Sequence, residues 1–317
     1  MNKLHIYKTI DIKELNKHIN SSFSKTIDLA ERQYNNKLNN IINTIINSHR
    51  AYKILLLAGP SSSGKTTTAQ LLKYKLKLKG VTAWVISLDD FFFGSKEIPI
   101  FENDEPDYES LNSLDVPLIH KCLKELAEKS KSEFPIFDFI TNERSKTKRI
   151  IEISNDDIVI LEGLHALNPE LLHPSYSDSC LKVYISVSTN YTLGGTTIIN
   201  PIDLRFLRRI IRDYKFRNTP PHETFNMWPS VCNGEKLYIE PFKESAQIFI
   251  DSCLSYEPCI FHQYISEKIK YADKTNIYYK LYYDKFLEVY NPLTYFKAVS
   301  PTVVPKHSVL REFIGKK

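Results

Sequence analysis

The sequence predicts an α/β fold in which a parallel sheet is covered by helices on both faces. Three observations lead there. The stretch Gly59-Pro60-Ser61-Ser62-Ser63-Gly64-Lys65-Thr66 sits between an apolar run, Ile54–Ala58, and a helical pattern over 66–79. Further short apolar runs recur at 84–88, 158–161 and 183–187, and a second helical pattern fills 116–129. Strands that alternate with helices need crossover connections, which place helices on both sides of a parallel sheet and ligands at the carboxyl ends of its strands. The third observation is composition: 42% hydrophobic and 25% charged residues in 317 are those of a soluble globular chain able to bury a full core.

Composition also excludes classes. Disorder and fibre are out, and a formal charge of +5 is too mild for a general nucleic-acid scaffold. The cysteines, Cys122, Cys180, Cys232, Cys253 and Cys259, form no C-x-x-C pair and no zinc spacing. Their odd number, without a leader-like segment, predicts reduced thiols in a cytoplasmic protein. No apolar run approaches the length of a membrane span, so no membrane partner is expected.

In chain order, residues 1–50 come first as an N-terminal helical extension. Ile27, Ala30, Tyr34, Leu38, Ile41, Ile42 and Ile45 step by threes and fours, which predicts one long amphipathic helix whose stripe needs a partner. The stripe is expected to pack on the domain that follows, residues 51–317; a homo-oligomer paired through it is the alternative left open. Asp115 and Pro117 suit the start of the helix over 116–129. The segment 133–153, with Pro135 and the basic run Lys146-Thr147-Lys148-Arg149, reads as an irregular hairpin inserted beside the sheet. Residues 203–217 form a basic helix, and 218–241, with four prolines, reads as loop. In the aromatic tail over 270–317, Tyr271, Tyr278, Tyr279, Tyr282, Tyr283, Phe286 and Tyr290 read as core packing. No internal repeat is visible.

The loop 59–66 fits G-x-x-x-x-G-K-[ST], and each part has a physical reason. A polyphosphate needs several donors aimed at one point, so the backbone turns its N–H groups inward where glycines leave room. The helix behind the loop adds its positive end. Gly59, Ser61, Ser62, Ser63, Gly64 and Thr67 are the candidate cradle, Lys65 the mobile charge for the β- and γ-phosphates, and Thr66 the hydroxyl for Mg²⁺. Asp89, beside Asp90 at the end of the 84–88 run, is the candidate base for an acceptor hydroxyl and a second candidate metal ligand. Glu162, which closes the run 158–161, is the third. Arg205, Arg208, Arg209 and Arg212 share one broad face of the basic helix, opposite Phe206, Leu207, Ile210 and Ile211, where forked guanidiniums suit a transferring phosphoryl group.

These residues bring a family into view. The loop 59–66, Asp89-Asp90-Phe91-Phe92, Pro106-Asp107, Phe137-Asp138-Phe139, Leu161-Glu162-Gly163 and Arg208-Arg209-Ile210-Ile211-Arg212-Asp213 follow one another as in uridine–cytidine kinases. That branch also includes phosphoribulokinase and pantothenate kinase. The resemblance runs from about residue 53 to about 260. The tail Ser308-Val309-Leu310-Arg311-Glu312-Phe313-Ile314-Gly315 is similar to the end of longer bacterial nucleoside kinases, whose kinase domain follows a segment like part of threonyl-tRNA synthetase. Here the helix of residues 1–50 is expected in that segment's place.

The resemblance implies a P-loop kinase with a five-stranded parallel sheet, an inserted hairpin and a helical lid over 203–240. It implies ATP and Mg²⁺ and a small-molecule acceptor, not a nucleic acid. Asp89 matches the base, Thr66 and Glu162 the magnesium site, and Asp107 the acid that binds ribose hydroxyls. Arg212 and Arg217 match arginines on the ATP phosphates, Arg212 being counted with Asp89 and Lys65 as catalytic. Arg209 matches a nucleoside contact and Arg144 an arginine near the acceptor; Phe92 is counted on the acceptor side. Where uridine–cytidine kinases read the pyrimidine with Tyr and His, this sequence has Phe137 and Asn142, and the family's further lid arginine falls near Thr219. Phe137 stacks without hydrogen-bonding, so the acceptor after uridine or cytidine could be a sugar, a polyol or another nucleoside. Two other classes remain as rivals. A GTPase switch needs N-K-x-D, which Asn16-Lys17 and Asn36-Lys37 do not complete. A non-catalytic RNA-binding protein would use the arginine helix, with binding that falls steeply with salt.

Overall fold

The computed structural model describes residues 8–48, 52–94, 97–99, 107–171, 174–269, 284 and 286–315. Strand β1 (Lys8–Asp11) leads into α1 (Ile12–Asn47), capped by Asp11, whose side chain accepts from the Glu14 amide at 3.1 Å. All seven residues of the predicted stripe are buried, but the helix is broken at Ser22, where φ −166° and ψ 96° leave helical space. The Ser22 hydroxyl accepts from the Lys25 amide and so caps a second segment, which is why the expectation of one continuous helix is corrected. The partner of the stripe is the chain's own core. Tyr34 hydrogen-bonds Thr68 on α2 (Lys65–Leu78) at 2.6 Å, and Glu31 accepts from the Tyr256 hydroxyl at 2.6 Å.

Strands β2 (Ile54–Ala58) and β3 (Ala83–Ser87) follow, then α3 (Val116–Lys129), with Asp115 as its cap and Pro117 in its first turn. The hairpin inserted after α3 has two tiers, β4 (Lys131–Phe134) with β7 (Arg149–Glu152) and β5 (Phe137–Asp138) with β6 (Glu143–Arg144). The chain then lays down β8 (Ile158–Gly163) and β9 (Cys180–Ser186), the small pair β10 (Thr189–Leu193) and β11 (Thr196–Ile199), α4 (Pro201–Phe216), α5 (Pro221–Gly234), a π-helical turn (Glu235–Ile239), α6 (Glu240–Lys243), β12 (Ile248–Asp251) and α7 (Glu257–Ile269).

The central sheet has the order β12-β9-β2-β8-β3, and every pair in it is parallel. Strand alternation divides the core in two. Leu55, Leu57 and Ile160 face α1, α2, α4 and α7, while Leu56, Ala58 and Leu161 face α3 and the hairpin. The fifth strand, β12, escaped notice as an apolar run, as did β1, which pairs with β10 in a separate three-stranded sheet with β11.

The stretch 218–241, expected as loop, is largely helical. Pro221 occupies the first turn of α5 and Pro241 that of α6, where no amide donor is required, and only Pro229 lies inside a helix. Of the aromatic tail, Phe286 is buried and stacks on Tyr290 at 5.5 Å; Tyr271, Tyr278, Tyr279, Tyr282 and Tyr283 lie outside the described residues. All five cysteines are free, and among the described residues no helix is long and apolar enough to cross a membrane.

Candidate active site

The loop 59–66 leaves the carboxyl end of β2 and turns into α2. Gly59 permits its first step, since a Cβ there would stand 1.9 Å from the Ile185 carbonyl oxygen. Gly64 permits the last, with φ +89° at the cap of α2. Between them Ser62 holds φ +60°, a conformation that costs a non-glycine residue about 1 kcal/mol or more. Arg208 secures it by donating from Nη1 to the Ser62 carbonyl at 3.1 Å. The hydroxyls of Ser62 and Ser63 are buried without a protein partner, as a cradle for anionic oxygens would have them.

Lys65 folds over the loop and donates to the Pro60 carbonyl at 3.0 Å. Burial lowers its pKa, against the pull of Glu162 and Asp89. Glu162, at the end of β8, accepts from Ser87 at 2.8 Å and from Thr66 at 3.2 Å through the same oxygen. Burial, and next Asp89, push its carboxyl up to about 7, the environment a cation would relieve. Among the described residues no group of three or more His, Cys, Asp or Glu is arranged to hold a metal. Mg²⁺ fits Thr66 and Glu162 only as a site that phosphate oxygens and water complete.

Asp89 and Asp90 diverge. Asp90 turns to the hairpin, accepting from the Phe137 amide at 3.2 Å and pairing with Arg149 at 3.5 Å. Asp89 remains on the loop side, within the fields of Lys65 and Glu162. The arginine helix is not a solvated face: Arg205, Arg208 and Arg209 are all buried. Both sides of α4 are covered because α5, α7 and the loop pack against it. Asp213 gathers three guanidiniums, Arg209 at 2.9 Å, Arg212 at 2.8 Å and Arg217 at 3.8 Å. Burial alone would raise the Asp213 carboxyl, and Arg212, Arg209 and Arg217 bring it below the usual value. One carboxylate cannot neutralise three cations. Repulsion from Arg212, then burial, lowers Arg217 to about 10, and Arg209 reaches Ser61 of the loop at 2.8 Å. The cluster also lies in the fields of Glu109 and Asp89, and an arriving anion would meet its remaining positive charge.

Phe92, Phe137 and Phe139 form an aromatic wall, with ring centroids 5.8 and 5.1 Å apart, and Arg217 lies over the Phe139 ring at 4.9 Å. Asn142 lies in the exposed hairpin turn with φ +54°. Arg144 is committed elsewhere. Its nitrogens donate to the carbonyls of Phe92 and Phe91 and to Asp115, so it bears on the cleft through the backbone of Phe92. Asp107 accepts from the amides of Glu109 and Ser110 and from the Tyr238 hydroxyl; Pro106 lies outside the described residues. Sequence reasoning missed Glu109, which is buried with Oε2 unpartnered and whose carboxyl burial raises to about 7, against Arg209 and Lys65. It also missed His165, whose Nε2 meets the Glu109 carbonyl at 2.9 Å and which burial lowers to about 4. The spacing Asp107-x-Glu109 was the available signal for the first; nothing local marks the second.

A phosphate loop at the carboxyl end of a parallel sheet, with an acid beside it and an arginine helix over it, defines a phosphoryl-transfer enzyme of the P-loop kind. The family model described as "Phosphoribulokinase / Uridine kinase family" matches residues 54–256, more than half of the chain. The chain belongs to this family and is an ATP-dependent kinase. It is 27% identical over 198 residues to a uridine kinase of Ureaplasma parvum serovar 3, covering 62% of this chain and 86% of that one. It is 29% identical over 203 residues to a uridine kinase of Staphylococcus aureus, covering 63% of this chain and 88% of that one. A solved structure titled "Structure of a Possible Uridine Kinase from Bacillus stearothermophilus" matches with TM-score 0.47 and 19% identity over 69% of this chain and 100% of that one.

Proposed function

We propose that this cytoplasmic kinase transfers the γ-phosphoryl group of ATP, with Mg²⁺, to a hydroxyl of a small molecule, and that the 5′-hydroxyl of uridine or cytidine is the first acceptor to test. The observation that carries the reading is the convergence of Lys65, at the start of α2, with Asp89 and Glu162 at the ends of the neighbouring strands β3 and β8, within the field of Arg217. In this reading the triphosphate lies on the amides of 59–67. Thr66 and Glu162 would hold Mg²⁺, which would supply charge neutralisation for the phosphates. Asp89 orients and deprotonates the acceptor hydroxyl, and Arg212 and Arg217 balance charge on the moving phosphoryl group. The aromatic wall of Phe92, Phe137 and Phe139 suits a flat base.

A second reading within the same family is a different acceptor. Asp107 already accepts three hydrogen bonds, which leaves about one of a carboxylate's four lone-pair sites, while Glu109 has a buried oxygen without a partner. Phe137 and Asn142 replace the Tyr and His of uridine–cytidine kinases. A panel of nucleosides, sugars and polyols with labelled ATP tests both. Turnover of uridine or cytidine supports the first; turnover of a non-nucleoside with neither pyrimidine nucleoside accepted supports the second.

A further inference from the structure

The first turn of α2 already holds an anion, and it comes from the far end of the chain. Glu312 accepts from the Thr67 amide through Oε2 at 3.1 Å. Glu312 stands on the short helical turn Arg311–Ile314, and that turn is anchored independently of the contact. Phe313 is fully buried beneath the Arg208 guanidinium, 4.8 Å from ring centre to Cζ, and Lys215 donates to the Ile314 carbonyl. Val309 lies so close to Gly64 that a Cβ added there would come within 2.8 Å of its Cγ2. The carboxylate is therefore delivered to the loop by a packed element. It is only half-buried, so its side chain can rotate away while the turn stays in place.

The amides at the start of a helix behind such a loop are donors for a phosphate chain, and a carboxylate on one of them competes for that donor. It also repels the arriving anion. Glu312 adds its negative charge to the field that Asp89 and Glu162 already set around Lys65, the charges an arriving nucleotide must meet. We propose that Glu312 is a specificity-determining residue of the nucleotide site. Its carboxylate competes with the phosphate chain for the Thr67 amide and so favours a metal-complexed triphosphate over the free one. The reason is Coulombic: a fixed negative charge penalises free ATP more than the magnesium complex, in which part of that charge is cancelled. The inference rests on the nucleotide lying on the loop 59–66.

Calorimetric titration of the full chain with ATP, in magnesium and in EDTA, tests it on wild type and Glu312→Gln. Glutamine keeps an oxygen that can accept from Thr67 but loses the charge. The expected result is ATP binding tightened by about fivefold in EDTA, with a smaller gain in magnesium. The gain should shrink as salt is added. An equal gain in both media, no gain, or weaker binding overturns the proposal, since a purely structural cap would cost thermal stability without any dependence on magnesium. Wild type that binds no ATP in either medium would instead overturn the nucleotide site itself, so the two failures are distinct. Glu312→Ala, lacking the acceptor as well, should show the same magnesium dependence.

Discussion

Glu257 grips Arg208 with both carboxylate oxygens, at 2.8 Å to Nε and 2.7 Å to Nη2, and neither side chain is reached by solvent. Arg208 spends its remaining donors on Ser62 and on the hydroxyl and carbonyl of Ser252, so one guanidinium ties α4, α7, the end of β12 and the phosphate loop together. Burial would lower its pKa, and the Glu257 carboxylate reverses that and holds it well above the usual value. The pair keeps Ser62 in its left-handed conformation, which makes it a positioning device for the loop.

Glu257→Gln and Arg208→Lys should therefore each be strongly destabilising. Removing one partner of a buried pair costs about 3–5 kcal/mol, and lysine cannot reproduce the fork. Thermal melts should show a large fall in Tm. Any fraction that stays folded should bind ATP more weakly because Ser62 is released. A Tm within a degree or two of wild type for Glu257→Gln would contradict this account.

Asp89→Asn should reduce kcat by about 10²–10⁴ while ATP affinity and Tm stay near wild type, because the loss is confined to proton removal from the acceptor. Lys65→Ala should abolish turnover and weaken ATP binding together. Near-normal turnover in Asp89→Asn would remove it from the base role, and Glu109 would be the next carboxylate to examine.

Glu109 makes a pH prediction with a definite sign. Its folded-state pKa, raised by burial to about 7, exceeds the ordinary glutamate value of 4.5, so between these values the native state binds more protons than the unfolded one. Its contribution is thus fully present in acid and is lost as pH rises through the folded value. Between about pH 5 and pH 7 the ligand-free wild type should lose thermal stability relative to Glu109→Gln, since His165, which burial lowers to about 4, works the other way in both proteins. Melts of both proteins across that window are the check; parallel slopes would assign the titration elsewhere.

The aromatic wall of Phe92, Phe137 and Phe139, proposed to face the acceptor, offers a gain-of-function test. Phe137→Tyr with Asn142→His restores the residue types that read pyrimidines in uridine–cytidine kinases. If uridine is a poor acceptor for the wild type, the double variant should raise kcat/KM for uridine by about tenfold or more, since a hydrogen bond to a base edge discriminates strongly. Phe137→Ala should lower it by removing the stacking wall. Steady-state kinetics with uridine and cytidine decide; a double variant that leaves both unchanged would show that the hairpin does not contact the base.

Helix α1 can be tested through Leu38, which is wholly buried in the core it shares with α2, α4 and α7. Leu38→Ala should cost about 2–5 kcal/mol. The kinase region should lose stability in the same transition, since α1 shares with α2, α4 and α7 one of the two cores that the central sheet separates. Two separated melting transitions would show instead that the helix is held independently.

Much was legible along the chain because it depends on near neighbours. The loop 59–66, the strands around it, the cap at Asp115 and the buried stripe of α1 all follow from spacing, since helical and strand periods are local properties of the backbone. Family membership followed from the same short motifs in their order. Helices α5 and α6 did not, because proline reads as a breaker along the sequence, whereas two of the four in 218–241 stand in first turns that need no donor.

What only the folded chain decided are the encounters between distant segments: Arg208 with Glu257, Glu109 beside Arg209 and Lys65, and Glu312 on the Thr67 amide. Periodicity drew α4 as a helix with one basic and one apolar face. Burial turned the basic face inward, because α5, α7 and the loop close around it and each guanidinium finds a carboxylate or carbonyl. A charge pattern states which groups exist; which of them are desolvated, and against whom, is settled by packing, and desolvation is what converts those charges into a site.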